Sequence, residues 1–61
     1  MSGMPFAGME EVYEALALGV DLAGPEKEAL FLMRLALLLA QRDGDAAAVK
    51  ASIAAALEGL E

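Results

Sequence analysis

Residues 29 to 40 read Ala29-Leu30-Phe31-Leu32-Met33-Arg34-Leu35-Ala36-Leu37-Leu38-Leu39-Ala40, and this stretch decides the fold. All of its side chains except that of Arg34 are apolar. Leu, Ala and Met are strong helix formers, and no Gly, Pro or β-branched residue interrupts them. A run of this length and composition favours a helix over a buried strand. We therefore expect it to form the central helix of an all-α protein.

The apolar side chains of this helix cover more of its circumference than one neighbouring helix can bury. At about 100° per residue, Lys27, Arg34 and Gln41 fall on one narrow line, and the apolar arc is roughly 220° wide. Alanines lie along the middle of the arc with larger side chains on both sides, so a partner helix can approach closely. The candidate oligomer interface comprises Ala29, Leu32, Met33, Ala36, Leu37, Leu39 and Ala40.

The composition indicates that the chain associates with copies of itself. Its 61 residues form one small domain, and 59% of them are hydrophobic. Chains of this size usually need a disulfide, a metal or another subunit to be stable. There is no Cys for a disulfide, and the lack of both Cys and His argues against a zinc site. A homodimer or higher oligomer is therefore predicted, and the missing cysteines favour the cytoplasm.

The net charge of −6 argues against two classes of partner. An acidic chain is repelled by the phosphates of nucleic acids and by anionic membrane surfaces. A transmembrane helix needs about 20 apolar residues, which this sequence does not provide. The first residues lack the basic and apolar regions of a signal peptide. We expect no nucleic-acid or membrane partner, and the remaining candidates are this chain itself and other proteins.

Periodicity and two glycine-containing corners predict three short helices, arranged as a helical hairpin plus a third helix in an oligomeric bundle. The predicted helices lie near residues 9–20, 25–42 and 45–59. Residues 1–8 show no periodicity and are predicted to form a flexible N-terminal arm. The predicted helical domain is 9–61.

Local residue chemistry suggests where these helices begin and end. Gly19 is expected to weaken the first helix near its end, and Leu22 is expected to close one end of the core. Pro25 suits the first position of the second helix, where its missing N–H costs nothing. Gly44 suits the left-handed position after that helix, and the carboxylate of Asp45 suits the N-cap of the third.

No group of side chains predicts catalysis, a metal site or a cofactor. The acidic residues Glu10, Glu11 and Glu14 lack the histidines that accompany glutamates in di-iron helical bundles, so a solvated acidic face is expected. The segment Asp43-Gly44-Asp45 lacks the further oxygen ligands of a calcium loop. Tyr13 has no neighbouring His, Cys or Lys to activate it. The chain is therefore expected not to be an enzyme.

Arg34 is the one charged residue within the apolar stretch, and two interpretations stay open. Its guanidinium could contact an anionic ligand or the carboxylate of a partner. Alternatively, its stem covers neighbouring leucines while its head stays in water or pairs with a glutamate of the first helix.

Four short segments carry a family resemblance: Tyr13-Glu14-Ala15-Leu16, Leu35-Ala36-Leu37-Leu38-Leu39-Ala40, Gly44-Asp45 and Ala54-Ala55-Ala56. Together they resemble a domain-of-unknown-function family of short bacterial helical proteins, over about residues 9–57. That family often has Asn-His before Gly-Asp, whereas this chain has Gln41-Arg42-Asp43, so no role of the family histidine is carried over. The resemblance implies no catalytic residues. Some genes of the family lie near those of flavin-dependent aromatic hydroxylases, which implies an accessory role.

Two functions fit these observations. The first is a small homo-oligomeric helical protein that acts in protein–protein interaction or as an accessory subunit. The alternative is a carrier or sensor of an apolar small molecule or an aromatic acid, with the cavity between subunits and Arg34 near its mouth.

Overall fold

The computed structural model describes residues 3–60, which form three α-helices joined by short connections. The helices are α1 (Phe6–Ala23), α2 (Glu28–Asp43) and α3 (Ala46–Leu57). No strand occurs in the described residues. The predicted all-α class and the number of helices are therefore confirmed.

The first helix begins three residues earlier than its periodicity predicts. Pro5 is the N-cap in extended backbone, and its carbonyl accepts a hydrogen bond from the N–H of Met9 at 3.0 Å. A proline is tolerated there because the first N–H groups of a helix have no partner within it. Phe6, Ala7 and Gly8 thus belong to α1 rather than to an arm, while Met1 and Ser2 lie outside the described residues.

Gly19 does not end the first helix, which continues to Ala23. The ring of Phe31 lies directly against Gly19, and a Cβ added to this glycine would be 2.5 Å from the ring Cζ. Gly24 ends the helix instead, with a φ of 83°, and its N–H donates to the carbonyl of Val20 at 3.1 Å. Gly19 therefore provides a place for an aromatic ring on the surface of α1.

The second helix begins later than predicted, at Glu28 rather than at Pro25. The N–H of Lys27 donates to the carbonyl of Gly24 at 3.0 Å, which closes a four-residue turn with Pro25 at its second position. Proline is favoured at that position because its φ is already set. The prediction for Pro25 was wrong because the same residue suits a tight turn as well as a helix start.

The corner between α2 and α3 has the predicted local structure. Gly44 is left-handed (φ 78°, ψ 3°), and its N–H donates to a carbonyl one turn back in α2 at 2.9 Å. The Asp45 carboxylate accepts a hydrogen bond from the N–H of Ala48 at 3.1 Å. Both predictions are confirmed. The third helix ends at Leu57, two residues before its predicted end. Gly59 follows it with a φ of 73°.

Contacts between helices lie close to the two connections. α1 contacts α2, α2 contacts α3, and within residues 3–60 α1 does not contact α3. No side chain in this range is fully buried, and Leu22, expected to close the core, is 79% exposed. The half-buried apolar side chains mark the two contacts and are Leu16, Val20, Ala23, Phe31, Leu35, Ala40 and Val49.

The single chain is more open than a compact domain of its size. Its accessible surface is 5621 Å², whereas a compact monomer of the same 6.3 kDa mass exposes about 3,700 Å². Its radius of gyration is 12.8 Å, against about 10.5 Å for a compact chain of this length. The three helices by themselves do not enclose a core.

Candidate functional site

One side of α2 is covered by α1. Phe31 and Leu35 are one turn apart on this side, and both are half-buried. The ring of Phe31 rests on Gly19, and half-buried Leu16 and Val20 lie on the same face of α1. This contact stays close to the connecting turn, so it covers only the N-terminal half of α2.

Most of the opposite side of α2 is uncovered in the single chain. Ala29, Met33 and Ala36 lie about 140–200° around the helix from Phe31. All three are exposed, and Met33 is 59% exposed. We call this the open side of α2, defined by Ala29, Met33, Ala36 and Ala40.

Leucines flank the open side along both of its edges. Leu32 and Leu39 lie on one edge, and Leu30 and Leu37 lie on the other. All four are exposed, from 43% for Leu32 to 62% for Leu37. Together with the open side they form a continuous apolar surface of the kind that marks an interaction site.

The C-terminal end of the open side is partly covered by α3. Ala40 and Val49 are both half-buried. They line a shallow groove at the corner together with Leu37, Gln41 and Lys50. Of the seven residues predicted as an interface, Ala40 therefore already has a neighbour in its own chain, while the other six are exposed. Their role as an interface stays a prediction.

Arg34 lies at the border of this apolar surface and is exposed. It shares its line around the helix with Lys27 and Gln41. From that position, its guanidinium can contact the edge of a molecule that covers the open side. The contact of Arg34 with an anionic ligand stays a prediction.

The sequence interpretation missed a second apolar surface on the first turns of α1. Phe6, Met9 and Tyr13 repeat at helical spacing and line a shallow groove together with Glu10 and Glu14. Phe6 is 78% exposed. This surface escaped prediction because Phe6 was assigned to an arm. The regular spacing from Phe6 to Tyr13 was the signal that could have revealed it.

The described part of the chain offers little chemistry beyond packing. Among residues 3–60, no three Asp, Glu, His or Cys side chains are grouped so as to hold a metal ion. No helix in the same range has both the length and the apolar character that a membrane span requires. The open side of α2 is consequently the candidate site that the geometry supports best.

Comparison of the chain with protein-family models, with curated proteins and with solved structures finds no match. The functional argument therefore depends on the residues and their geometry.

Proposed function

We propose that this chain is the subunit of a homodimer or higher oligomer, and that it acts through protein–protein contacts as an interaction protein or accessory subunit. The observation that carries the proposal is the excess of accessible surface. The chain exposes about 1,900 Å² more than a compact monomer of its mass. Among residues 3–60, 16 large hydrophobic side chains are exposed.

The area available matches the interfaces of obligate oligomers. A compact dimer of twice this mass would expose about 6,200 Å², so two chains would bury about 5,000 Å² in forming it. Obligate homodimers bury about 2,000–5,000 Å² or more. The second subunit then supplies the core that one chain lacks, and folding is coupled to association.

Charge and composition favour the rest of the proposal. An excess of acidic side chains keeps finished oligomers apart from one another and from nucleic acids. The absence of cysteine fits a reducing compartment, and we propose the cytoplasm.

Sedimentation equilibrium over a range of micromolar concentrations tests the oligomer. We expect a species of at least twice 6.3 kDa, and a melting temperature by circular dichroism that rises with protein concentration. A helical 6.3 kDa species with a concentration-independent melting temperature would contradict the proposal.

Native mass spectrometry of the purified protein tests how the oligomer acts. We expect a mass that equals a whole number of subunits, with no added small molecule. A stoichiometric apolar compound or aromatic acid that stays bound would instead establish the carrier or sensor function. Pull-down from the native host followed by mass spectrometry then identifies the partner protein.

A further inference from the structure

We propose that two copies of the chain pair through the open side of α2, in antiparallel orientation, with the two-fold axis between Met33 and Ala36. The proposal rests on the homo-oligomer proposed above and specifies its central contact. The occupant of this surface is thus a second copy of the same helix. A standard interface needs about 800 Å² from each partner, less than half of the chain's excess of about 1,900 Å².

The spacing of residues along the open side determines the register. Positions 29, 33, 36 and 40 follow a 4-3-4 spacing, as in the seam of two packed helices. This spacing reads the same in both directions. An antiparallel copy therefore places Ala29 opposite the partner's Ala40, and Met33 opposite the partner's Ala36.

Side-chain size favours this pairing over the parallel one. The long side chain of Met33 meets the small Ala36 of the partner, and the symmetric contact repeats on the other side of the axis. Alternation of large and small side chains across a contact lets two helices interdigitate. A parallel pair would instead place Met33 against Met33 and Ala36 against Ala36, with crowding at one level and a gap at the next.

The position of α3 also favours the antiparallel pair. α3 leaves the C-terminal end of α2, where half-buried Val49 and Ala40 line the same groove. In a parallel pair both third helices would occupy the same end of the contact. In the antiparallel pair they lie at opposite ends, and each α3 meets the N-terminal end of the partner's α2.

The flanking leucines complete the contact. Where alanines face each other, helix axes can approach to the short end of the usual 8–10 Å range. Leu32 and Leu39 on one edge, and Leu30 and Leu37 on the other, then meet their counterparts across the two-fold axis. The open side of α2 becomes the centre of the dimer.

Disulfide mapping tests the orientation, because the chain has no cysteine of its own. Ala29→Cys and Ala40→Cys variants are mixed, refolded together from denaturant and oxidised. We expect a disulfide between position 29 of one copy and position 40 of the other, found by mass spectrometry of cross-linked peptides. The Ala29→Cys variant alone should form none, since its two copies would lie about 16 Å apart along the axis. A disulfide needs Cα atoms within about 7 Å.

In the control experiment, Ala29→Cys is mixed with Leu22→Cys instead of Ala40→Cys. The thiol at position 22 lies at a highly exposed site on α1 and should not form a disulfide with position 29. Circular dichroism and sedimentation in reductant show that each variant folds and associates. If Ala40→Cys fails to fold, the pair Met33→Cys and Ala36→Cys takes its place.

The outcomes separate the two proposals. Efficient self-linking of Ala29→Cys would establish a parallel pair and overturn the inference. An oligomer in sedimentation without a 29–40 or 33–36 disulfide would show that another surface is used, and would leave the proposed oligomer intact. A monomer in sedimentation would overturn both.

Discussion

α2 has two apolar sides, and its own chain leaves most of one of them exposed. On the covered side, Phe31 fits against Gly19, where α1 has no side chain. On the open side, Ala29, Met33 and Ala36 are also suited to a close helix contact, yet all three are exposed. The difference shows that a strongly apolar helix can have more interaction surface than a short chain can satisfy.

The covered side is also incomplete, which sharpens the contrast. Contacts between α1 and α2 lie near the turn, and Leu38, farther along the same side of α2, is exposed. Met9 and Val12 of α1 are exposed as well, although they share a face with half-buried Leu16. Intramolecular packing thus holds the hairpin at one end and leaves most of the large apolar side chains of residues 3–60 exposed.

The largest effect is expected from a charge on the open side. If a second copy covers this side, Ala36→Glu buries an unpaired carboxylate and should cost about 3 kcal/mol or more. The variant should lose association in sedimentation and helicity in circular dichroism at micromolar concentration. The matched control is Ala51→Glu on α3, an exposed site where the same change should stay within about 0.5 kcal/mol. Equal behaviour of the two variants would show that the open side faces water.

The next effect probes the covered side. Phe31→Ala removes the ring that packs on Gly19 and should cost about 2 kcal/mol, less than the 3–5 kcal/mol of a fully buried phenylalanine. Phe6→Ala is the matched control, because Phe6 is largely exposed, and it should change the urea midpoint little. All midpoints are compared at one protein concentration, since the proposed association would contribute to stability. A Phe31→Ala midpoint as high as that of Phe6→Ala would contradict the packing role.

The parts of this fold that depend on neighbouring residues could be predicted from the sequence. Gly44 and Asp45 form the expected corner because a left-handed glycine and a carboxylate N-cap act within one turn of chain. The start of α2 was predicted less accurately than this corner. Pro25 suits either a helix start or a turn, and the hydrogen bond from Lys27 to Gly24 decides between them.

Contacts between distant residues were harder to predict. The sequence marks Gly19 as a weak point of a helix, but the ring of Phe31 that lies on it is twelve residues away. The wide apolar arc of α2 was visible in the sequence because it follows from helical periodicity alone. Which part of the arc α1 covers depends on the angle between the helices, which periodicity does not contain.

A double-mutant cycle isolates the fit between these two residues. In the parent chain, Gly19→Ala places a Cβ against the Phe31 ring and should destabilise by about 1 kcal/mol, because overpacking exceeds the gain in helix propensity. In the Phe31→Ala background the obstacle is absent, so the same change should stabilise by about 0.5–1 kcal/mol. Urea denaturation of the four proteins measures the coupling. The same sign in both backgrounds would mean that the ring does not require a glycine.

The last substitution lies outside both apolar sides of α2 and therefore provides a baseline for the others. Asp45→Ala removes the acceptor that pairs with the N–H of Ala48 at the start of α3. Loss of such a cap typically costs about 1 kcal/mol. Asp45→Asn keeps a side-chain oxygen at the same place and should lose much less. Since the cap lies within one chain, the cost should be the same at low and high protein concentration, whereas that of Ala36→Glu should change with concentration. An Asp45→Ala midpoint equal to that of the parent would show that α3 does not depend on this hydrogen bond.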